Sequence, residues 1–574
     1  MFAQNVSGAF RFDSLADLQA GRANQLVYAA PIGDGLDSVR ALFSTNVYTF
    51  GLQDTWDVSD NLTVTYGARW DVYQTPDTPA FNKDFQARTG FRNNASLNGR
   101  QILQPRFAAS WHPTERLQLR ASGGLYAGGN PNVWISNNYS NPGPTLGSAT
   151  VTRTSTGGFT ISGVPITDPV LIAQIGAAAL NNVTGGTGVP ASLANLIKLA
   201  GSSSATTNEL DPNFKIPSQW RVAGTVNYTA NFGALGDDWN LGADVVWSRV
   251  KDALIYRDLR SVANTVDSTL PDGRPRYQAY DAAAGGNQDL YLTNTSLGYS
   301  WNIVARVDKR WTNGFSLGAA YTFQRSKDVN PGTSSTAGSN YGNSASVDPN
   351  VGAYGISNYQ VDDAYRLTVG YDKALFGDNK TTIQLFFNSR AGQHYSYTVA
   401  DLTPIRSAVF GTVGSNSRYL MYVPNVSSET ADPNVTYAPG SFASFKALIE
   451  GSVLNKYQGQ IAPKNIGRSP RFNKLDLSVR QELPFVYGGK FEAFADVENL
   501  LNLINNDWGS LRQVGFPYFG TVANVSCVGG ASPTKECTQY VYSPRSGTTA
   551  TAPEPALNRS PSLWQIRVGA RVKF

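Results

Sequence analysis

Charge is what this chain is short of. Asp, Glu, Lys and Arg make up 16% of 574 residues, against about a quarter in ordinary soluble domains. The net excess is small, +5, and it is spread along the chain. No basic stripe forms, which argues against a nucleic-acid partner. His, Cys and Met occur twice each. So few ligand-type residues argue against a metal centre. No run approaches about 18 consecutive apolar residues, which excludes a spanning helix. It does not exclude a membrane barrel, whose strands show lipid only every second residue. A secretion signal is also missing. Met1-Phe2-Ala3-Gln4 leads straight into a weak strand-like pattern over 2–11. An exported barrel needs a basic and apolar leader, so the expectation is that the natural precursor continues upstream.

What the chain does have is aromatics, with 11 Trp, 28 Tyr and 27 Phe, and glycine, with 55. Its last stretch sets the pattern. Trp564, Ile566, Val568, Ala570, Val572 and Phe574 alternate with Gln565, Arg567, Gly569, Arg571 and Lys573. Strict period-2 alternation predicts a strand with one apolar and one polar face. A chain ending on an aromatic fits the closing strand of a transmembrane barrel, whose strand ends sit in an aromatic girdle. A soluble sheet could also end on an alternating strand.

The alternation recurs along the chain. It predicts strands over 45–58, 61–73, 102–111, 116–127, 218–230, 239–250, 295–311, 315–325, 364–372, 381–390, 472–483, 490–499 and about 563–574. With the weak 2–11 segment this makes about fourteen. The clearest is 61–73, where Leu62, Val64, Tyr66, Ala68, Trp70 and Val72 face away from Thr63, Thr65, Gly67, Arg69 and Asp71. Thr312-Asn313-Gly314 is a hairpin signal. The connections sort by parity. Short turns alternate with the long stretches 74–101, 128–217, 251–294, 326–363, 391–471 and 500–562. A soluble sandwich has no reason to do this. An outer-membrane barrel does, with short periplasmic turns and long extracellular loops. The predicted class is therefore all-β, a transmembrane antiparallel barrel in the cell outer membrane.

The polar face of these strands carries Arg69, Asp71, Arg120, Arg221, Asp244, Arg306, Arg366, Asp372, Asp476, Arg480, Glu492 and Asp496. A charge in hydrocarbon costs about 2–4 kcal/mol at the midplane. These residues are therefore candidates for lining a wet or plugged lumen. For any single one of them, a salt bridge between neighbouring strands is the preferred reading. Within the longest loop, Asp168-Pro169 reads as an N-cap followed by Pro at the first helical position, opening a helix over Val170–Leu180. Ser192–Ala200 is a second candidate. Both are too short to span a bilayer.

Chemical motifs are sparse. Cys527 and Cys537 sit close together in the last long loop. A local disulfide is the expected state in an oxidising exterior, because metal binding needs more ligands and His112 and His394 fall on opposite rims. Gly314-Phe315-Ser316-Leu317-Gly318 matches G-x-S-x-G, but Ser316 opens a strand after a hairpin turn. A nucleophile elbow needs strand, sharp turn, helix. Gly185-Gly186-Thr187-Gly188 lacks the Lys of a phosphate loop. The sequence predicts neither enzyme activity nor a cofactor.

Phe472-Asn473-Lys474-Leu475-Asp476-Leu477-Ser478-Val479-Arg480, with Phe491-Glu492-Ala493-Phe494-Ala495-Asp496-Val497-Glu498-Asn499-Leu500-Leu501-Asn502, resembles the C-terminal barrel strands of TonB-dependent outer-membrane receptors, in particular the Oar-like branch. The ending Arg567-x-Gly569-x-x-Val572-x-Phe574 is similar to the β-signal read by the barrel assembly machinery. Phe12–Gly21 and the hairpin from Leu52 to Trp70 also resemble that family. The resemblance implies a barrel of about 22 strands around a plug. About fourteen are present, so residues 1–574 are expected to form the C-terminal part of such a receptor. The plug, the TonB box and about eight strands would lie elsewhere. It further implies energised uptake of a scarce, bulky solute, with TonB acting through that plug. The partners implied are outer-membrane lipid, the assembly machinery and an unknown solute. A passive porin-like channel and a structural or adhesive surface protein are the alternatives. No residue pattern distinguishes an iron–siderophore, an oligosaccharide or a peptide as the solute.

Overall fold

The computed structural model describes residues 5–573 apart from 34, 129–131, 182, 184–188, 190, 200–204, 283 and 485–488. Thirteen antiparallel strands follow one another in chain order through its main sheet. They are β1 (Asn46–Ser59), β2 (Leu62–Gln74), β3 (Gln101–Thr114), β4 (Leu117–Ala127) and β5 (Ser218–Ala230). Then come β6 (Trp239–Asp258), β7 (Tyr299–Arg310), β8 (Phe315–Asp328), β9 (Asp363–Phe376) and β10 (Asn379–Arg390). The last three are β11 (Phe472–Pro484), β12 (Lys490–Glu498) and β13 (Gln565–Lys573). Each pairs with its sequence neighbours. Among the described residues β1 and β13 each pair on one side only. At about 3.3 Å per residue, a thirteen-residue strand is about 40 Å long, enough to cross hydrocarbon at a tilt.

Thirteen of the fourteen expected strands are therefore in the sheet. The exception is the weak segment at 2–11. Ala9–Arg11 pairs instead with Gln25–Pro31, which pairs in turn with Leu146–Arg153 of the longest connection. The reason is packing. Phe10 lies against a small core of Leu26, Val151, Phe159, Ile175, Leu193 and Ile197 and has no lipid-like face to offer. Both expected loop helices belong to this core. The Asp168 carboxylate accepts from the Val170 N–H at 2.8 Å, capping Pro169–Gln174, and a wider turn continues through Ile175–Leu180. The second helix is Ala191–Leu199; Ala200 lies outside the described residues.

The pairing register carries the two-faced pattern across the sheet. Trp70 stands opposite Phe50 and Leu103. Trp247 stands opposite Val222 and Trp301. Tyr321 faces Ala305 and Tyr365, and Leu477 faces Leu385 and Val497. All point the same way. Trp70, Phe50, Leu103, Trp301 and Tyr365 are exposed, and on the same face Leu52 is exposed by 82% and Val568 by 75%. Contiguous apolar surface on this scale is the mark of a face that something else covers. A bilayer fits it, since aromatic pairs such as Trp247–Trp301, with ring centroids 6.2 Å apart, stand where the face ends.

The short turns lie on one rim. At the Asn313-Gly314 turn, Gly314 has φ +100°, and a Cβ there would meet the Asp372 carbonyl oxygen at 2.7 Å. Only glycine fits. The turn between β11 and β12 falls largely on residues outside the description. On the other rim the long connections fold on themselves. Strands His394–Ala400, Phe519–Cys527, Tyr540–Ser543 and Val435–Tyr437 build a second sheet around a core of Tyr397, Val423, Phe445, Ile449, Val522 and Tyr542. β6 carries the main sheet up into this rim, whose folded connections form a cap: its residues 240–249 pair with β7, and 253–258 pair with Asp289–Thr295.

A charge on the exposed apolar face should weaken the inserted sheet. Val369→Arg, at the middle of β9, is expected to cost about 2–4 kcal/mol in vesicle-embedded protein. Its neighbour Thr368→Arg, on the polar face, is expected to cost less than about 1 kcal/mol. Urea titration in lipid vesicles measures both.

Candidate functional site

The opposite face of the sheet is mostly polar, with Val304, Phe386 and Phe494 among its charged and hydroxyl side chains, and the register brings its charges into ladders. The Asp71 carboxylate accepts from Thr49 at 2.8 Å, Gln104 at 2.7 Å and Arg69 at 2.7 Å. Asp244 accepts from the Thr225 hydroxyl at 2.8 Å and is ion-paired with Arg306. Arg306 also donates to Asn227. Arg120 stands opposite Thr225, so β4 to β7 share one polar cluster. Arg306 and Arg366 flank Ala320. Asp372 and Arg480 flank Thr382. Asp476 contacts Lys474 at 3.2 Å, Asp496 accepts from Ser478 at 2.6 Å, and Glu492 lies 3.7 Å from Arg571. Arg221 sits 5.7 Å from the Tyr126 ring.

All twelve charged residues singled out in the sequence thus share one face. Arg120, Arg221, Arg366 and Arg480 are exposed there, whereas Asp71 is buried by its three donors. Neighbour-to-neighbour pairing organises much of this face. Of the C-terminal residues, Arg567 stands opposite Asp496 and Gly569 opposite Phe494. A Cβ at Gly569 would come within 2.5 Å of the Phe494 ring. Val572 faces Phe491 on the apolar side, and Phe574 lies outside the described residues.

The cap holds the residues that sequence reasoning missed. Arg276 donates to the carbonyls of Val409, Ala408, Ser532 and Lys535 and to Asp267. It joins three long connections at one buried guanidinium. Cys527 and Cys537 are bonded, with Cα atoms 5.3 Å apart, and the Cys537 N–H donates to Asp267 at 2.8 Å. The disulfide hairpin is thereby fastened to the same pin. Arg418 donates to the carbonyls of Tyr341 and Val413 and to the Thr412 hydroxyl. Arg88 and Arg260 each lie 3.0 Å from Asp289. Beside them Glu209 is fully buried, and neither carboxylate oxygen has a hydrogen-bond partner. Burial, then the nearby Asp289 and Asp258, push its carboxyl well above the ordinary 4.5.

Ser316 lies within β8, opposite Arg310 and Gly370, so the G-x-S-x-G match is a strand and not an elbow. His112 lies at the short-turn end of β3, bonded to Gln118 at 2.8 Å. His394 lies in the cap, buried against Asp362 at 2.9 Å. Among the described residues no group of three or more His, Cys, Asp or Glu could hold a metal ion.

A family model described as an outer membrane beta barrel domain matches residues 1–525. The chain belongs to that family. This outer-membrane barrel chain is also similar in structure to the FrpB iron transporter of Neisseria meningitidis, at TM-score 0.34 and 12% identity, covering 80% of this chain and 42% of that one. It is similar to the outer membrane transporter YddB of Escherichia coli, at TM-score 0.40 and 10% identity, covering 92% and 45%. The ferric preacinetobactin receptor BauA of Acinetobacter baumannii gives 0.35 and 11%, covering 93% and 44%. The chain thus spans less than half the length of each. No curated protein matches the sequence. The family is one of outer-membrane barrels, not of enzymes.

The buried Glu209, its carboxyl raised by burial and by Asp289 and Asp258, is expected to make the cap pH-sensitive. The folded cap keeps a proton that the unfolded chain loses above about its ordinary pKa, so cap stability should fall as pH rises. Resistance of the embedded protein to protease is expected to decline from about pH 5 to about pH 8. In Glu209→Gln that slope should flatten, with greater resistance at the upper end.

Proposed function

We propose that this chain is the C-terminal part of a TonB-dependent receptor barrel, of the Oar-like branch that Phe472–Arg480 and Phe491–Asn502 resemble. It serves energised uptake of a bulky solute through the outer membrane. The observation that carries the reading is the pair of half-paired edges, β1 and β13. Backbone N–H and C=O groups cannot stay unpaired in hydrocarbon, so further strands complete the sheet.

Parity supports the number. β1 begins on the long-connection rim, since the segment before it pairs with the 146–153 strand of a long connection. β13 ends on the short-turn rim. Thirteen strands therefore start outside and finish in the periplasm. A barrel of about 22 strands leaves about nine more. An odd number brings the chain from a periplasmic plug to the outside. The packed cap would capture the solute, and the exposed Arg120, Arg221, Arg366 and Arg480 would line its path beside the plug. A bulky solute suits such an arrangement better than a porin, which has inward-folded loops and an open lumen.

The test is the DNA upstream of the Met1 codon. The expected result is an in-frame leader, TonB box, plug and about nine further alternating segments. A translation start at Met1 with a stop codon behind it would overturn the proposal.

A further inference from the structure

The lipid-facing side of β7 to β10 is not uniformly smooth. Between the aromatic pair Tyr321–Tyr365, with ring centroids 4.9 Å apart, and the side chains of Leu367 and Phe387 lies a shallow, open dent of about 550 Å³ floored by Ala305 and Ala319. Its walls are almost wholly apolar. Its position mid-sheet, several strands from β1 and three strands short of β13, keeps it clear of any strand that completes the barrel.

On the cap side of this dent stands a separate feature. Arg471 lies 5.5 Å from the Tyr365 ring and donates to Ser389, which faces outward opposite Tyr365. Arg325, opposite the outward-facing Trp301, stacks 4.6 Å from Phe323. Arg468 is the third guanidinium. Beneath them lie two carboxylates. Asp362 contacts Arg325 at 3.0 Å and Arg468 at 3.3 Å, and it also holds the buried His394. Asp363 contacts Arg468 and Arg471. The carboxylates are only 13% and 19% exposed, while the guanidiniums are 35–47% exposed. The layer that meets the membrane surface is therefore cationic, with Lys327 beside it on the Tyr354 ring at 5.8 Å.

We propose that this site holds one phosphorylated lipid of the outer leaflet, with an acyl chain in the Ala305–Ala319 dent and a phosphate on Arg325, Arg468 and Arg471. The two halves fit one amphiphile. A shallow apolar dent on the lipid-facing side takes a chain along its floor, and guanidiniums already fixed by stacking and by Asp362 and Asp363 offer planar donors to phosphate oxygens. Basic pockets at membrane surfaces take anionic headgroups in this way. A soluble phosphate ester would use the arginines alone and leave the dent empty.

Native mass spectrometry of the full chain, extracted from outer membranes in mild detergent, tests this. The expected spectrum shows one phosphorylated lipid per chain. Occupancy should fall about tenfold in Arg325→Gln/Arg471→Gln and also in Ala319→Trp, which fills the dent. Excess inorganic phosphate should not displace the lipid. Heat-shifted gel mobility checks that each variant is folded. Arg468→Gln, exposed and off the main sheet, serves if the double variant is not. Equal retention of the same lipid without its phosphate, displacement by inorganic phosphate, adducts unchanged in the variants, or a dimer mass in place of the adduct would each overturn the proposal.

Discussion

The main sheet follows from one requirement: a backbone crossing hydrocarbon must find all its hydrogen-bond partners within itself. The chain meets it with consecutive antiparallel hairpins, in which each strand between β1 and β13 is paired on both sides. Pairing fixes the register, and the register sorts side chains by parity. Once Trp70 faces Phe50 and Leu103, Arg69 and Asp71 have no choice but the other face. The low charge and the abundance of Trp and Tyr are consequences of the same requirement, because one face of every strand must suit lipid and the interface.

The cap obeys different physics. It is watered on the outside and has a packed interior, so its order comes from tertiary pins and not from alternation. Buried arginines supply them. Arg276 and Arg418 each satisfy several backbone carbonyls that lie far apart in sequence, and such charge-assisted bonds are stronger than neutral ones. The Cys527–Cys537 bridge adds a covalent link next to Arg276. The cost of this construction is visible at Glu209, which is buried with both oxygens unpaired beside Asp258 and Asp289. Burial of that kind is tolerated by keeping the proton.

What could be read from sequence follows this division. Thirteen strands, the parity of their connections and the shared face of twelve charged residues were legible because alternation is a local signal. So was the Asp168 cap, which depends on neighbouring residues. The segment at 2–11 misled because its pattern was weak and its fate depended on Leu26, Ile175 and Ile197, far along the chain. Arg276, Arg418 and Glu209 were invisible for the same reason. Their partners lie in other loops, within Gly-, Ser- and Asn-rich stretches that carry no periodicity. The extra length of β6 beyond residue 250 was likewise set by Asp289–Thr295, a partner that no local pattern announces.

The most direct test of this account is thiol accessibility along β2 in vesicle-embedded protein. The chain's own cysteines are bonded to each other, so single cysteines report cleanly. Thr63→Cys, Thr65→Cys and Arg69→Cys should react with a membrane-impermeant maleimide. Val64→Cys, Tyr66→Cys and Ala68→Cys should resist it and instead be quenched by a lipid-soluble probe when labelled. Strict alternation is the predicted result. Uniform labelling, or an alternation of opposite phase, would contradict a two-faced transmembrane sheet.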